Sequence, residues 1–172
     1  CYDVTTGDKV KTLFEESADS YVEPLYPIQF SKVNPGEFYY LSRLDGWFHV
    51  YKYNTDGKLV QQITKGEWEV TNILGFDAKE KTLFVEATLD DPLQNNIYKV
   101  DVKSGETERL SKEDGVHGGT LSPGATYILD RWSGTEVPGK VDLISSNGKN
   151  TRTIFASEDP LKDYQLGENK LV

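Results

Sequence analysis

The sequence predicts an all-β chain that forms part of a β-propeller. One hairpin recurs four times: Tyr2-Asp-Val-Thr-Thr-Gly7-Asp-Lys, Tyr51-Lys-Tyr-Asn-Thr-Asp-Gly57-Lys, Tyr98-Lys-Val-Asp-Val-Lys-Ser-Gly105-Glu and Val141-Asp-Leu-Ile-Ser-Ser-Asn-Gly148-Lys. Its glycines stand 50, 48 and 43 residues apart, the spacing of an architecture built from one repeated supersecondary unit. A second unit, apolar-turn-apolar, lies upstream at Phe30-Ser-Lys-Val-Asn-Pro-Gly36-Glu-Phe-Tyr-Tyr, Phe76-Asp-Ala-Lys-Glu-Lys-Thr-Leu-Phe84 and Leu121-Ser-Pro-Gly-Ala-Thr-Tyr127. Its leading residues are 46 and 45 apart, the same period as the hairpin.

The hairpin opens on alternating residues such as Trp47-Phe-His-Val-Tyr-Lys-Tyr53, the period of a strand. A Gly turn follows because tight hairpins need a residue that tolerates positive φ. A second strand then runs out through Val60-Gln-Gln-Ile-Thr64 or Thr107-Glu-Arg-Leu-Ser111. One repeat is therefore four short strands, A-turn-B-loop-C-turn-D, expected at residues 26–64, 71–111 and 117–155. Residues 2–14 supply the C-D hairpin of an earlier repeat, and residues 158–172 read as an exit segment. Four-stranded antiparallel units at this period are propeller blades. A β-sandwich would also show many short strands, but it leaves the return of one Gly turn at blade spacing unexplained. No stretch sustains helical apolar spacing over three turns. About three and a half blades do not close a ring, so the outer faces are expected to be covered by a partner or to drive self-association.

The net charge of −9, from 28 acidic and 19 basic residues, argues against nucleic acid or an anionic membrane as partner. No apolar run approaches membrane-spanning length. Ten Tyr, seven Phe and three Trp suit twisted sheets that pack face to face. The one cysteine, Cys1, rules out an internal disulfide. A lipid-modified N-terminus is one reading of it; a strand residue exposed by trimming is the other, since Tyr2-Asp-Val continues at once as repeat strand. With no Met anywhere and an opening in mid-repeat, the chain reads as a segment of something longer.

Catalytic patterns are missing. There is no Gly-x-Ser-x-Gly turn to present a nucleophile, and Gly119-Thr-Leu-Ser122-Pro-Gly124 is an A-B blade turn. His49 sits on a strand, where a hydrogen-bonded structural imidazole is expected. His117, in Gly115-Val-His-Gly-Gly119, reads as a loop residue that could face a cavity, with no Ser and Asp to bracket it. No Cys-x-x-Cys, His-x-x-x-His or Asp-rich Gly loop provides a metal site, and no cofactor is expected. Glu15-Glu16 and Asp90-Asp91 read as solvated surface.

Two strings resemble the N-terminal propeller of dipeptidyl peptidase IV-type serine exopeptidases. They are Ser42-Arg-Leu-Asp45-Gly46-Trp47-Phe-His49-Val-Tyr51 and Thr64-Lys-Gly66-Glu-Trp68-Glu-Val70-Thr71. Tyr21-Val-Glu-Pro-Leu-Tyr-Pro27 is most similar to the bacterial prolyl tripeptidyl aminopeptidase branch, and Thr88-Leu-Asp-Asp-Pro-Leu93 and Leu121-Ser-Pro123 fit as well. Leu44 departs from the pattern, in a place usually held by a polar residue. The resemblance implies an eight-bladed propeller capping an α/β-hydrolase domain with a Ser-Asp-His triad, whose nucleophile lies beyond Val172. It implies cleavage after proline near a free N-terminus, in the periplasm or at the cell surface. The family's Glu pair for the substrate amino group belongs to another motif, and Glu15-Glu16 does not match it. Asp159-Pro-Leu-Lys-Asp-Tyr164 resembles the exit toward the catalytic domain.

In a four-stranded meander the A-B and C-D turns share one end, and the B-C loops and D-A links share the other. The first end is short, Gly- or charge-rich and monotonous. The second is aromatic and varied: Tyr21–Tyr26, Arg43–Trp47, Glu67–Glu69, Asp90–Asn96, His117 and Arg131-Trp132. Loops on a rigid scaffold concentrate binding residues, so this end is expected to face the catalytic domain and substrate. The resemblance puts the link into the first full blade at the substrate entrance, which makes Glu23 and Tyr26 the leading substrate-facing residues, with Asp45 and Trp47 beside them. For Asp45 and Trp47, and for Trp68, fixing blade packing is the competing role. The functional expectation is a propeller that gates and aligns peptides for a separate hydrolase domain. A non-enzymatic propeller binding a peptide, protein or glycan is the alternative.

Overall fold

The computed structural model describes residues 1–17, 19, 21, 22, 26–164 and 167. Its twelve strands form three four-stranded antiparallel sheets. The first holds β1 (Gln29–Phe30), β2 (Glu37–Ser42), β3 (His49–Asn54) and β4 (Leu59–Gln62). The second holds β5 (Val70–Phe76), β6 (Thr82–Ala87), β7 (Asn96–Asp101) and β8 (Thr107–Arg109). The third holds β9 (Val116–Leu121), β10 (Tyr127–Gly134), β11 (Val137–Ser145) and β12 (Thr151–Ala156). Each sheet is a simple meander with consecutive strands paired, the topology of a propeller blade. No helix occurs among the described residues.

Strand B of the first two blades, β2 and β6, is buried along almost its whole length because both of its faces are covered. Tyr39 and Leu41 of β2 join Leu83, Val85 and Ala87 of β6 and Tyr98 and Val100 of β7 in the core between the first and second sheets. Phe84 and Ile97 point the other way, against Ile128 and Ile144 of the third sheet. The outer face of the first sheet, with Phe38, Tyr40, Tyr51 and Tyr53, is covered by Leu13 and Phe14, and the Phe14 ring stacks on Tyr53 at 4.9 Å. The N-terminal hairpin itself is reduced to one bridge, Tyr2 to Lys9.

The glycine of the recurring turn keeps one backbone conformation, although the turns are of two lengths. Gly7, Gly57, Gly105 and Gly148 have φ of 77°, 85°, 76° and 75°, the left-handed region that favours glycine. Each glycine N–H donates to the carbonyl of a polar residue that opens the turn, Asp3, Asn54, Asp101 or Ser145. The side chains of Asp3, Asn54 and Asp101 also accept backbone N–H bonds within the turn, which is why these short polar residues stand there. Backbone hydrogen bonds from Thr6 and Thr5 hold the Asp3 carboxyl below its ordinary range, and those from Ser104 and Lys103 do the same for Asp101.

Side chains clasp neighbouring blades at the turn end. Glu80, a non-glycine with φ of 50°, reaches from the second sheet into the first. Its carboxylate accepts from the Ser31 hydroxyl at 2.6 Å, the Lys32 N–H at 2.6 Å and the Tyr39 hydroxyl at 3.1 Å. Gln61 of β4 donates to the carbonyls of Val102 and Lys103 in the next blade.

Two sequence expectations are corrected. Gly115–Gly119 is not a loop: His117 lies on β9. The glycines serve close approach, since a Cβ on Gly119 would sit 2.6 Å from Leu74 Cδ1 and one on Gly115 would sit 2.3 Å from the Ser133 carbonyl oxygen. Glu16 is not free surface either. It is half-buried and accepts hydrogen bonds from the hydroxyls of Tyr40 and Ser42, which ties the N-terminal segment to β2.

Candidate functional site at the loop end

The B-C connection of the first sheet, Arg43–Phe48, is fixed from several directions. Gly46, with φ of 97°, donates its N–H to the Arg43 carbonyl at 3.0 Å. The Arg43 guanidinium lies 4.8 Å above the Phe48 ring and pairs with Glu69 at 2.7 Å. Asp45 accepts from the Trp47 N–H at 3.4 Å and from Gln62 Nε2 at 2.6 Å. Burial pushes the Asp45 carboxyl up, but the bonds from Gln62 and Trp47 outweigh it, leaving the group below the ordinary carboxylate range. Burial, then the charge of Asp45, raises the phenol of Tyr51 on β3.

The second sheet repeats this device. Asp90 stands in its B-C connection and pairs with Arg109 of β8 at 3.1 Å; burial, then the charge of Asp90, pushes the Tyr98 phenol up to about 12. In both blades a loop carboxylate thus binds a strand D side chain and, after burial, raises the phenol of a strand C tyrosine. The signal in the sequence was the shared Tyr51 and Tyr98 of the recurring hairpin, each with an upstream Asp.

A polar chain crosses the same end from blade to blade. The Tyr26 hydroxyl donates to the Thr71 carbonyl, and its ring meets Phe48 edge-on at 6.2 Å. Burial, followed by the charges of Glu86 and Glu69, raises the Tyr26 phenol. Thr71 Oγ1 donates to Asn95 Oδ1 at 2.6 Å, and Asn95 Nδ2 donates to the His117 carbonyl at 2.9 Å and to Glu86 at 3.4 Å. Glu86 in turn accepts the Gly119 N–H at 2.7 Å. Burial raises the Glu86 carboxyl despite these bonds. Asn95 lies in the Asp90–Asn96 segment singled out by sequence, but Glu86 escaped sequence reasoning, although a lone charge inside the apolar run Leu83-Phe-Val-Glu-Ala87 marks it.

The two histidines are structural in geometry. His49 is fully buried, with Nδ1 3.0 Å from Thr64 Oγ1 and Nε2 3.0 Å from the Gly66 carbonyl. His117 has Nδ1 2.7 Å from Asp130 Oδ2 and Nε2 2.9 Å from the Glu113 carbonyl. Its ring stacks on Trp132 at 5.1 Å and borders a cavity of about 170 Å³. Both ring nitrogens are engaged, so neither is available to move a proton to or from a bound molecule. Among the described residues no group of three or more His, Cys, Asp or Glu side chains is placed to hold a metal.

Of the four residues singled out by sequence, Tyr26 is half-buried in the cluster with Phe48, while Asp45 and Trp47 lie together on the exposed B-C turn. Glu23 falls outside the described residues.

Comparison with known proteins points in one direction. The family described as the dipeptidyl peptidase IV (DPP IV) N-terminal region matches residues 1–139. Dipeptidyl peptidase 4 of Arthroderma otae is 29% identical over 173 residues, covering 95% of this chain and 22% of that protein. The Trichophyton equinum enzyme of the same name is 28% identical over 159 residues, covering 88% of this chain and 20% of that protein. A crystal structure of a candidate dipeptidyl aminopeptidase IV from Bacteroides ovatus superposes with a TM-score of 0.84 at 30% identity, over 95% of this chain and 26% of that one. Porphyromonas gingivalis dipeptidyl peptidase 4 gives 0.68 at 29% identity, over 75% and 18%. The chain therefore spans about a quarter or less of the proteins it matches.

Proposed function

This chain belongs to the dipeptidyl peptidase IV N-terminal region family, and we propose on that premise that it is the propeller wall of a serine exopeptidase. In this reading the blades gate and align peptides with proline near a free N-terminus, and an α/β-hydrolase domain of the same parent polypeptide supplies the triad. Residues 158–164 lead toward that domain, most of the expected exit segment after them lying outside the described residues, and the parent works in the periplasm or at the cell surface. The observation that carries the reading is the superposition over 95% of the chain on a dipeptidyl aminopeptidase IV-like structure.

The loop end fits a peptide-facing role because its side chains are held before any ligand arrives, which lowers the cost of ordering them on binding. Tyr26 is the residue we assign to the substrate entrance, with Glu23 upstream of it. The half-buried Tyr26 ring packs edge-on against Phe48, and its hydroxyl fixes the ring to β5.

The test uses the full-length parent polypeptide with chromogenic substrates ending in Gly-Pro and in Ala-Ala-Pro. Hydrolysis of either is expected, the ratio distinguishing dipeptide from tripeptide release. Tyr26→Ala is expected to raise KM about tenfold with little change in kcat, the pattern of lost ground-state binding. A parent polypeptide that cleaves neither substrate would sink the reading in favour of a non-enzymatic binding propeller. We also propose that the open outer face of the third sheet, where Val116, Tyr127 and Phe155 are exposed, drives self-association of the chain by itself. A monomer mass by light scattering at high concentration would count against that.

A further inference from the structure

The four recurring turns differ in the residue that stands just before the glycine: Thr6, Asp56, Ser104 and Asn147. In the third full blade that residue is a carboxamide, and of the eight asparagines in the chain Asn147 alone precedes a glycine. The difference has chemical weight. The backbone nitrogen of the following residue is the nucleophile nearest to an asparagine Cγ, and glycine has no side chain to hinder its approach. Elsewhere that attack is impeded. Pro35 after Asn34 has no N–H, and Thr55, Ile73, Ile97 and Thr151 after Asn54, Asn72, Asn96 and Asn150 are β-branched. Asn95 and Asn169 precede Asn96 and Lys170, which also carry side chains. Asp56 precedes Gly57, but its carboxylate pairs with Lys11 at 3.1 Å, and a carboxylate anion is a poorer electrophile than a carboxamide.

The turn holds the Asn147 carboxamide with its oxygen between two donors. Oδ1 accepts from the Ser145 hydroxyl at 2.8 Å and from the Lys149 N–H at 3.0 Å. Both polarise the carbonyl, and both point to the place where negative charge would develop on that oxygen. Ser145 Oγ is itself fixed, accepting the Asn150 N–H at 2.9 Å. One bond works against attack, since the Gly148 N–H is spent on the Ser145 carbonyl at 2.8 Å. Asn147 and Lys149 are exposed, and a solvated hairpin tip opens locally at low cost, which frees the nitrogen.

We propose that Asn147-Gly148 is a site of spontaneous deamidation, and that its conversion loosens the junction between the second and third blades. The Gly148 nitrogen attacks Asn147 Cγ, the Cγ–Nδ2 bond breaks, and ammonia leaves carrying the Gly148 proton. Water then opens the five-membered imide at either carbonyl, giving aspartate or isoaspartate; nothing is oxidised or reduced. The junction feels the product because Gly148 lies against the second blade. A Cβ there would sit 3.2 Å from Leu110 Cδ2 and 3.3 Å from Glu108 Oε1. The new carboxylate arises one residue from this contact with an existing carboxylate, and like charges repel. Isoaspartate also lengthens the turn backbone by one carbon. The site is independent of the peptidase reading above.

The experiment incubates the full-length parent polypeptide beside the free peptide of residues 141–149, in mildly alkaline buffer, until the peptide has converted. Trypsin, cutting after Lys140 and Lys149, releases the same segment from the parent. Mass spectrometry with electron-transfer fragmentation then reads asparagine, aspartate and isoaspartate at 147. Product at 147 is expected to lag behind the free peptide, because attack waits for the tip to open, yet to lead every other asparagine by at least about tenfold. No product at 147, or as much at another asparagine, would overturn the assignment. Asn147→Ser, which installs the residue the second blade carries at Ser104 and cannot form the imide, tests the consequence. Aged in parallel, the parent sequence is expected to lose amide protection at Leu110 and Ser145, whose N–H groups donate to the Ile97 and Asn150 carbonyls, while Asn147→Ser keeps it. Equal loss in both, or none in either, would overturn the effect on the blade junction.

Discussion

Removing the Glu80 carboxylate should loosen the first two blades measurably. In Glu80→Ala the Ser31 hydroxyl, the Tyr39 hydroxyl and the Lys32 N–H all lose their acceptor. Ser31 and Tyr39 are 6% and 2% exposed, so water replaces the carboxylate poorly there, whereas Lys32 is open to solvent. Hydrogen bonds to a charged group contribute about 1.5–3 kcal/mol each and are not additive. Counting the two buried hydroxyls and discounting the solvated N–H gives about 3 kcal/mol, roughly a 150-fold shift in the unfolding equilibrium. Urea unfolding of the 172-residue chain, followed by Trp fluorescence, should show a midpoint lower by about 1–2 M. Glu80→Gly removes the same bonds but relieves the left-handed backbone, and should be milder by about 1 kcal/mol. The acid limb provides a check. Burial raises the Glu80 carboxyl, and the bonds from Ser31, Lys32 and Tyr39 more than offset that, so its folded value lies below 4.5. Its contribution is therefore complete above 4.5 and is lost as the pH falls through the depressed folded value. Glu80→Gln should lack that part of the acid slope. If Glu80→Ala unfolds within 0.5 kcal/mol of the parent sequence, far inside the estimate of about 3 kcal/mol, the clasp does not hold the blades.

Glu86 should titrate with the opposite sign, because burial raises its carboxyl in the folded chain. Its contribution is complete below 4.5 and is lost as the pH rises through the raised folded value. The stability of the parent sequence minus that of Glu86→Gln, measured by urea titration between about pH 4 and pH 8, should therefore fall as the pH rises, and a flat difference would contradict the assignment. Gly57→Ala should detach the N-terminal segment from β2 and β3. The added Cβ would lie 1.5 Å from the Leu13 carbonyl oxygen at a φ of 85°. A loss of at least about 2 kcal/mol and faster proteolysis around residues 11–17 are expected, and unchanged protection there would refute the packing described.

The repeat was legible because it rests on local chemistry. A tight hairpin needs a left-handed residue at one position and a short polar acceptor at its start, and Asp3-to-Gly7 and Asp101-to-Gly105 show both in the sequence. What crosses between blades was not legible. Nothing in Asp77-Ala-Lys-Glu80 tells that the last carboxylate turns inward to the previous blade, since that depends on how two sheets meet. The Gly-rich stretch around His117 reads as a loop for the same reason: close approach and chain reversal both call for glycine, and only the neighbouring Leu74 and Ile97 side chains decide between them. At the loop end, the string containing Asp45 and Trp47 was visible as a unit. The Tyr26–Thr71–Asn95–His117 chain was not, because its members lie far apart in sequence on two connections and two strands.

The backbone ladders of the three sheets close within themselves, and the one backbone bridge between the second and third sheets is the short parallel contact of Asn95 with Val116. The first and second sheets share one backbone bond, from the Val70 N–H to the Phe48 carbonyl at 2.8 Å, and neighbouring blades otherwise meet through side chains such as Glu80, Gln61 and Glu86. A blade can therefore part from its neighbour without breaking its own ladder, and the natural unit of partial opening is the whole blade. In amide exchange the protected amides should fall into sets by sheet, each set exchanging together.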